Sequence, residues 1–244
     1  MTYIMLIAGV GKRLNPLTIL QAKCLFKLDD NFTILKRNVD IIKKYDKSAN
    51  IVFVTGFKHN SFQNFKDITF IYNPFFKITN SIASLWFAKE YLVDDVVIIN
   101  GDIVTNSKLV KDIVTKKKDR SCVLIDSSIS DGDYNVQVND DKVVVMSKEL
   151  INYYGEYVGI TKISSKDINV FKNKLEDMIC YGNYDQWYEN VLVQLIFEDN
   201  FSLYYIDVKD YEWTEVDCVD DLIKAKKIHK NNSKFSEEEN NKES

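Results

Sequence analysis

The chain has 244 residues, 45% of them hydrophobic and 28% charged, with two prolines and a net charge of −4. Such a composition belongs to a globular protein long enough for a full core, and a single domain over 1–230 is expected. The acidic balance excludes general nucleic-acid binding through a basic surface, and no apolar run is long enough to span a bilayer, so no membrane insertion is expected. Met1 leads at once into a strand, without the pattern of a signal peptide, which points to a cytoplasmic location. Cys24, Cys122, Cys180 and Cys218 lie far apart with no C-x-x-C. Neither a zinc site nor a disulfide framework follows, and all four are expected as reduced, buried thiols.

Tyr3-Ile4-Met5-Leu6-Ile7 opens the chain as a β-rich apolar run. A helix follows over about 32–46, with Ile34, Leu35, Val39, Ile41 and Ile42 on one face. Apolar runs at 51–54 and 96–99 have the character of buried parallel strands. Between them a helix over about 80–92 follows Thr79-Asn80-Ser81, whose side chains suit an N-terminal cap. Beyond Asp102 come a helix near 107–118, a strand at 121–125 and a hairpin over 134–148 around Asn139-Asp140-Asp141. Helices at 165–179 and 184–197, a strand at 203–207 and a last helix at 218–230 complete the pattern. Alternating strands and helices imply an α/β protein with a mostly parallel sheet, and the hairpin implies a small inserted mixed subsheet. Residues 231–244 are Asn, Ser, Lys and Glu with one aromatic, Phe235, and their composition is that of a disordered tail. His59 and His229 belong to no motif and are expected at the surface.

Directly after the first strand stands Ala8-Gly9-Val10-Gly11-Lys12-Arg13-Leu14-Asn15-Pro16-Leu17-Thr18, with Lys23 ten residues past Arg13. Glycines permit a tight turn and close backbone approach. Successive N–H groups in such a loop form an anion site, to which Lys12, Arg13 and Lys23 add positive charge. This is a place where a triphosphate could be held, at the end of a strand where open α/β sheets bind ligands. Neither the spacing of a P-loop nor the third glycine of a dinucleotide fingerprint is present.

The stretch resembles the signature of the Rossmann-like nucleotidyltransferases, approximately L-A-A-G-x-G-x-R-L-x-P-L-T followed by P-K. Ile7 replaces one alanine and Ala22 the proline before Lys23. The resemblance implies their three-layer fold, with Ala8, Gly9, Gly11 and Lys12 around the nucleotide phosphates and Arg13 and Lys23 as the catalytic cations. It also implies Mg²⁺ on Asp102, in Asn100-Gly101-Asp102, and on the E-x-D of Glu215 and Asp217. On a strand, Glu215 and Asp217 at i and i+2 face the same side, and oxygen ligands suit magnesium. Asp217 could instead cap the last helix. Thr79-Asn80 and Ser84 resemble the T-N-x-x-x-S of phosphocholine-type cytidylyltransferases, which makes CTP the expected nucleotide. An asparagine amide can pair with the cytosine edge, or simply cap its helix.

Relatives of this type use phosphocholine, 2-aminoethylphosphonate or phosphoglutamine, the last in capsule phosphoramidate synthesis. The expected acceptor is therefore small, phosphorylated and amine-bearing. Gly155-Glu156-Tyr157-Val158-Gly159-Ile160 resembles the family's acceptor segment. Asp185, Trp187, Tyr188 and Glu189 would suit an ammonium group through charge and cation–π contacts, unless the two aromatics belong to the core. The resemblance leaves room for a homodimer. Rivals are a sugar-1-phosphate nucleotidylyltransferase, against which the missing glutamine and glycine turn count, a glycosyltransferase, which would need D-x-D where Asp102-Ile103-Val104 stands, and a non-catalytic nucleotide sensor.

Overall fold

The computed structural model describes residues 1–115, 119–130 and 132–240, without the side chains of 114, 115 and 233–240. The chain divides into two compact units, each drawn from three separate segments. Met1–Val10, Ser48–Asn100 and Lys118–Lys209 form a sheet unit; Gly11–Lys47, Gly101–Lys117 and Asp210–Ser244 form a second unit built on a short ribbon. No change of composition marks these crossings, so the sequence reads as one stretch over 1–230.

In the sheet unit, β1 (Thr2–Ile7), β2 (Asn50–Thr55), β3 (Thr69–Tyr72) and β4 (Val96–Asn100) run parallel in the order β3-β2-β1-β4. Their apolar runs are buried throughout, with Ile4, Val52, Val54, Val96 and Ile98 fully covered, as strands between helices require. The sheet continues as β9-β6-β10-β8-β7, where β6 is Cys122–Asp126, β7 Asn135–Asn139, β8 Lys142–Ser147, β9 Gly155–Ile163 and β10 Tyr204–Asp207. β9 is antiparallel to both β4 and β6, while β10 returns parallel to β6. The expected hairpin is β7–β8, and it joins the far edge of this same sheet. Gly155 opens β9 where a Cβ would meet the Asp126 carbonyl oxygen at 2.6 Å, so only glycine allows the strand to approach β6 so closely. Helices α2 (Ser81–Phe87), α4 (Ile168–Cys180) and α5 (Glu189–Asp199) bury Ile82, Leu85, Phe171, Leu175, Leu192 and Leu195 in one apolar cluster with the strands.

The ribbon unit has α1 (Ile34–Tyr45), α3 (Ser107–Thr115), α6 (Val219–Asn240) and the antiparallel pair β5 (Ile103–Thr105) and β11 (Trp213–Glu215). Thr33 caps α1 by accepting the Lys36 N–H at 3.2 Å, and Lys43 and Lys44 end it where cations suit the helix dipole. A small core of Leu14, Phe26, Leu28, Ile34, Val104, Val216, Ala225 and Ile228 joins these pieces. Two α1 side chains pin the ribbon: Asn38 donates to the Ile103 carbonyl at 2.7 Å and Arg37 to that of Thr105. Burial depresses the Arg37 guanidinium to about 10.

Three expectations need correction. Residues 231–240, read as a tail, continue the backbone of α6, where lysine and glutamate favour helix over coil; 241–244 lie outside the described residues. Cys24 and Cys122 are buried but Cys180 and Cys218 are exposed, since they stand at or beyond helix ends. His229 is buried on α6, its Nε2 2.8 Å from an Asp29 carboxylate oxygen and its ring 5.2 Å from that of Phe32.

Candidate active site

One constellation of charge lies wholly within the ribbon unit. The register sets Glu215 opposite Ile103, and the Val216 N–H donates to the Asp102 carbonyl at 3.1 Å. Pairing continues one step beyond the ribbon, where Asp102 meets Val216, the residue before Asp217. Val216 points into the core between Glu215 and Asp217, which leaves those two on a common side. Carboxylate oxygens of Asp102, Glu215 and Asp217 all lie within 4.8 Å of one another.

Cations from the segment after β1 meet this cluster. Lys23 stands in a short 3₁₀ turn, Lys23–Leu25, and its ammonium bridges the two aspartates, 2.7 Å from Asp217 and in contact with Asp102. Arg13 reaches the other Asp217 oxygen at 2.7 Å while remaining 60% exposed. Gly11 takes the left-handed conformation, φ +68°, that starts the 3₁₀ turn Lys12–Leu14. Its carbonyl accepts the Thr18 hydroxyl at 2.9 Å. A Cβ on Gly11 would come within 3.1 Å of the Thr18 methyl, so a side chain at this position is strained on two counts.

The balance of charge is uneven. Burial, then the neighbouring Asp102 and Asp217, push the Glu215 carboxyl up to about 9, with Lys23 and Arg13 opposing. Burial alone would lower the Lys23 ammonium, yet the two aspartates hold it well above its ordinary value. Asp102 Oδ1 is buried and has no hydrogen-bond partner among the described residues. Three carboxylates against two cations, with one buried oxygen unsatisfied, is a donor set that suits a hard divalent cation. Asp217 does not cap α6. Its carboxylate is engaged by Lys23 and Arg13, while Asp221, inside the first turn of α6, accepts the Asp217 and Cys218 N–H groups at 3.0 and 2.8 Å.

In the sheet unit, Ala8 ends β1 and its carbonyl accepts the Phe57 N–H at 3.0 Å. Gly9 is exposed, and a Cβ there would have nothing within 4 Å. Thr79, Asn80 and Ser84 come together around a residue the motif did not single out, the buried Asn73. Its amide donates to Thr79 at 3.1 Å and to Ser84 at 3.0 Å, and its oxygen accepts the Phe75 N–H at 2.9 Å. Ser84 thus faces inward. Asn80 accepts the Ser81 N–H at 2.8 Å and caps α2, which leaves its amide N–H groups for other partners. An asparagine before a proline at a strand end was the available signal for Asn73.

The aromatic and acidic residues divide. Tyr188 is wholly buried, its hydroxyl shared with Tyr157 and with Thr161 at 3.1 Å, so it belongs to the core rather than to a pocket wall. Glu189 is buried beside it, and burial followed by this carboxylate raises the Tyr188 phenol well above its usual range. Asp185 is exposed, and Glu156 accepts the Asp133 N–H at 2.8 Å. Trp187 is 39% exposed, stands edge-on to Tyr134 and carries the Lys148 ammonium 4.5 Å from its ring centre. That aromatic face already holds a cation.

Most of the chain superposes on solved nucleotidyltransferase structures. The CTP:phosphocholine cytidylyltransferase from Streptococcus pneumoniae superposes with a TM-score of 0.77 over 93% of this chain and 98% of that one, at 18% identity. The fold is that of the nucleotidyltransferases. In sequence the chain is 24% identical over 253 aligned residues to the CTP:phosphoglutamine cytidylyltransferase of Campylobacter jejuni, covering 91% of this chain and 98% of the relative. It is 32% identical over 112 residues to the choline-phosphate cytidylyltransferase of Haemophilus influenzae, covering 45% and 47%. No family model matches.

Proposed function

We propose that the protein transfers CMP from CTP to a small, amine-bearing phosphorylated acceptor and releases pyrophosphate. The observation that carries this reading is the Lys23 bridge between Asp102 and Asp217, beside Arg13 and Glu215 and directly after the glycine loop. Similarity to two cytidylyltransferases supports the choice of CTP.

An acceptor phosphate oxygen attacks the α-phosphorus, a new P–O bond forms, and the bond to the β-phosphate oxygen breaks with its electrons leaving on pyrophosphate. A phosphate monoester loses its second proton near pH 6, so the nucleophile is ionised at neutral pH and no general base is required. What remains for the protein is positioning and charge stabilisation. The backbone from Gly9 to Arg13 holds the outer phosphates, with Lys12 and Arg13 adding charge. Lys23 exchanges an aspartate for the α-phosphate oxygen and stabilises the charge that builds there. Asp102, Asp217 and Glu215 would hold Mg²⁺, which on binding neutralises phosphate charge. We place the protein in the cytoplasm; no described helix is long and apolar enough to cross a membrane.

The test is pyrophosphate release across CTP, UTP, dTTP, ATP and GTP, each against phosphocholine, aminoethylphosphonate, phosphoglutamine and glucose 1-phosphate. Release with CTP and one amine-bearing acceptor is expected. Release only with the sugar phosphate would overturn the acceptor assignment, and silence with every pair would overturn the transferase.

A further inference from the structure

A cavity of about 630 Å³ opens in the sheet unit between β8, α4 and α5, within the range of small-molecule sites, about 300–1,000 Å³. None of the residues assigned to catalysis or to CTP lines it. Its chemistry is unlike that of the phosphate loop. Val145, Met178 and Val193 give it an apolar floor, and Asn183, Gln186, Asn190 and Gln194 bring four side-chain amides to its wall.

The one cation on the lining, Lys174, is not available to an anion. Its ammonium lies 2.7 Å from Glu198 and 2.8 Å from Asp199, and these two carboxylates raise it above its ordinary value. A phosphate or carboxylate would therefore meet compensated charge and further acidic side chains. The amides, in contrast, are partly fixed in orientation. Asn190 donates to the Gln186 side-chain oxygen at 3.0 Å and accepts the Tyr134 hydroxyl at 3.2 Å, and Gln194, half-buried on the next turn of α5, has no hydrogen-bond partner among the described residues. Each amide offers both donors and an acceptor.

From this arrangement we infer that the cavity is a second ligand site, for an uncharged sugar ring. A pyranose matches both surfaces at once. Its hydroxyls each donate and accept, as the amides do, and its C–H face lies on apolar carbon. Nucleotides are excluded by their charge, and lipid chains by the polar wall.

The experiment uses the full chain, ¹⁵N-labelled, titrated with methyl glucoside and with maltose, beside glucosamine and inorganic phosphate as controls. Saturable shifts confined to β8, α4, α5 and residues 181–186 are expected with the neutral sugars. Gln194→Ala, on a half-exposed helix position, should weaken binding by about tenfold without changing pyrophosphate release. Val193→Trp, which fills the cavity, should abolish the shifts while the rest of the spectrum is retained. No shifts on these elements with either neutral sugar at 100 mM (roughly a tenfold excess over the weakest specific sites) would overturn the proposal. So would tighter binding of phosphate or glucosamine there, or unchanged affinity in both variants.

Discussion

Two polar clusters, one in each unit of this chain, are built in opposite ways. Within the sheet unit, the polar side chains near the start of α2 satisfy one another: Asn73 ties Thr79 and Ser84 together, and the Tyr188 N–H donates to Ser81 at 2.9 Å. Nine strands and their helices share one apolar cluster around them. The ribbon unit has a smaller core, yet it gathers three carboxylates, a shared lysine and a buried oxygen with no partner. Polar groups that complete each other hold a fold in place. Groups left incomplete at a cost to stability mark where a ligand completes them.

The largest expected effect tests the ribbon unit. Lys23→Ala should lower kcat by roughly 10²–10³-fold, as loss of a preorganised cation at developing charge does, with the far-UV circular dichroism unchanged. Turnover within a few-fold of normal would remove Lys23 from the chemistry.

A pH series probes the same cluster. The Glu215 carboxyl is raised in the folded state to about 9 from an ordinary 4.5, so the folded chain binds its proton more tightly than the unfolded chain. Its contribution is full below pH 4.5 and is lost as pH rises through about 9. Without added metal, the melting temperature should fall across this window, and Glu215→Gln should flatten the fall. Added Mg²⁺ should recover more stability at pH 8.5 than at pH 6, because the ion requires the ionised carboxylate. Parallel pH curves for the two proteins would disprove the assignment.

Asn73→Ala addresses the sheet unit. Removing it takes the acceptor from the Phe75 N–H and a donor from the buried Ser84 hydroxyl, while Thr79 keeps its bond to the Phe75 carbonyl, and the expected loss is about 1 kcal/mol in a denaturant titration. If stability holds while the KM for CTP rises tenfold, the contrast between the units fails and Asn73 is a ligand residue. The smallest effect is expected for Gly11→Ala, about 1–2 kcal/mol from the left-handed conformation, with the KM for CTP rising as the turn before Arg13 shifts.

Legibility followed the same contrast. That Lys23, Arg13, Asp102, Glu215 and Asp217 belong together was legible through the resemblance to the nucleotidyltransferase signature, whose glycine turn, strand-ending carboxylate and i, i+2 pair are local in sequence. The five do cluster. Whether Asp217 caps its helix was not a local question, since its carboxylate is drawn to Lys23 and Arg13, both distant in the chain. Tyr188 stands just before α5, where no periodicity tells which way a side chain turns, and only packing shows it buried. β5 and β11 have three residues each, too few for alternation to register. β9 was read as an acceptor segment, and its place between β4 and β6 came from register and the close approach at Gly155. His229 resembled a surface residue because its partner, Asp29, is far away in the chain.

The interleaving of the units also bears on how the protein is made. Every strand of the large sheet has been synthesised once Lys209 is joined, but Glu215 and Asp217 have not yet been added. The scaffold strands are thus encoded ahead of two of the three carboxylates of the acidic cluster. Until the last segment closes on β5, Lys23 has only Asp102 for company. A chain cut before Glu215 keeps the sequence of all nine strands of the large sheet and loses two of the three clustered carboxylates.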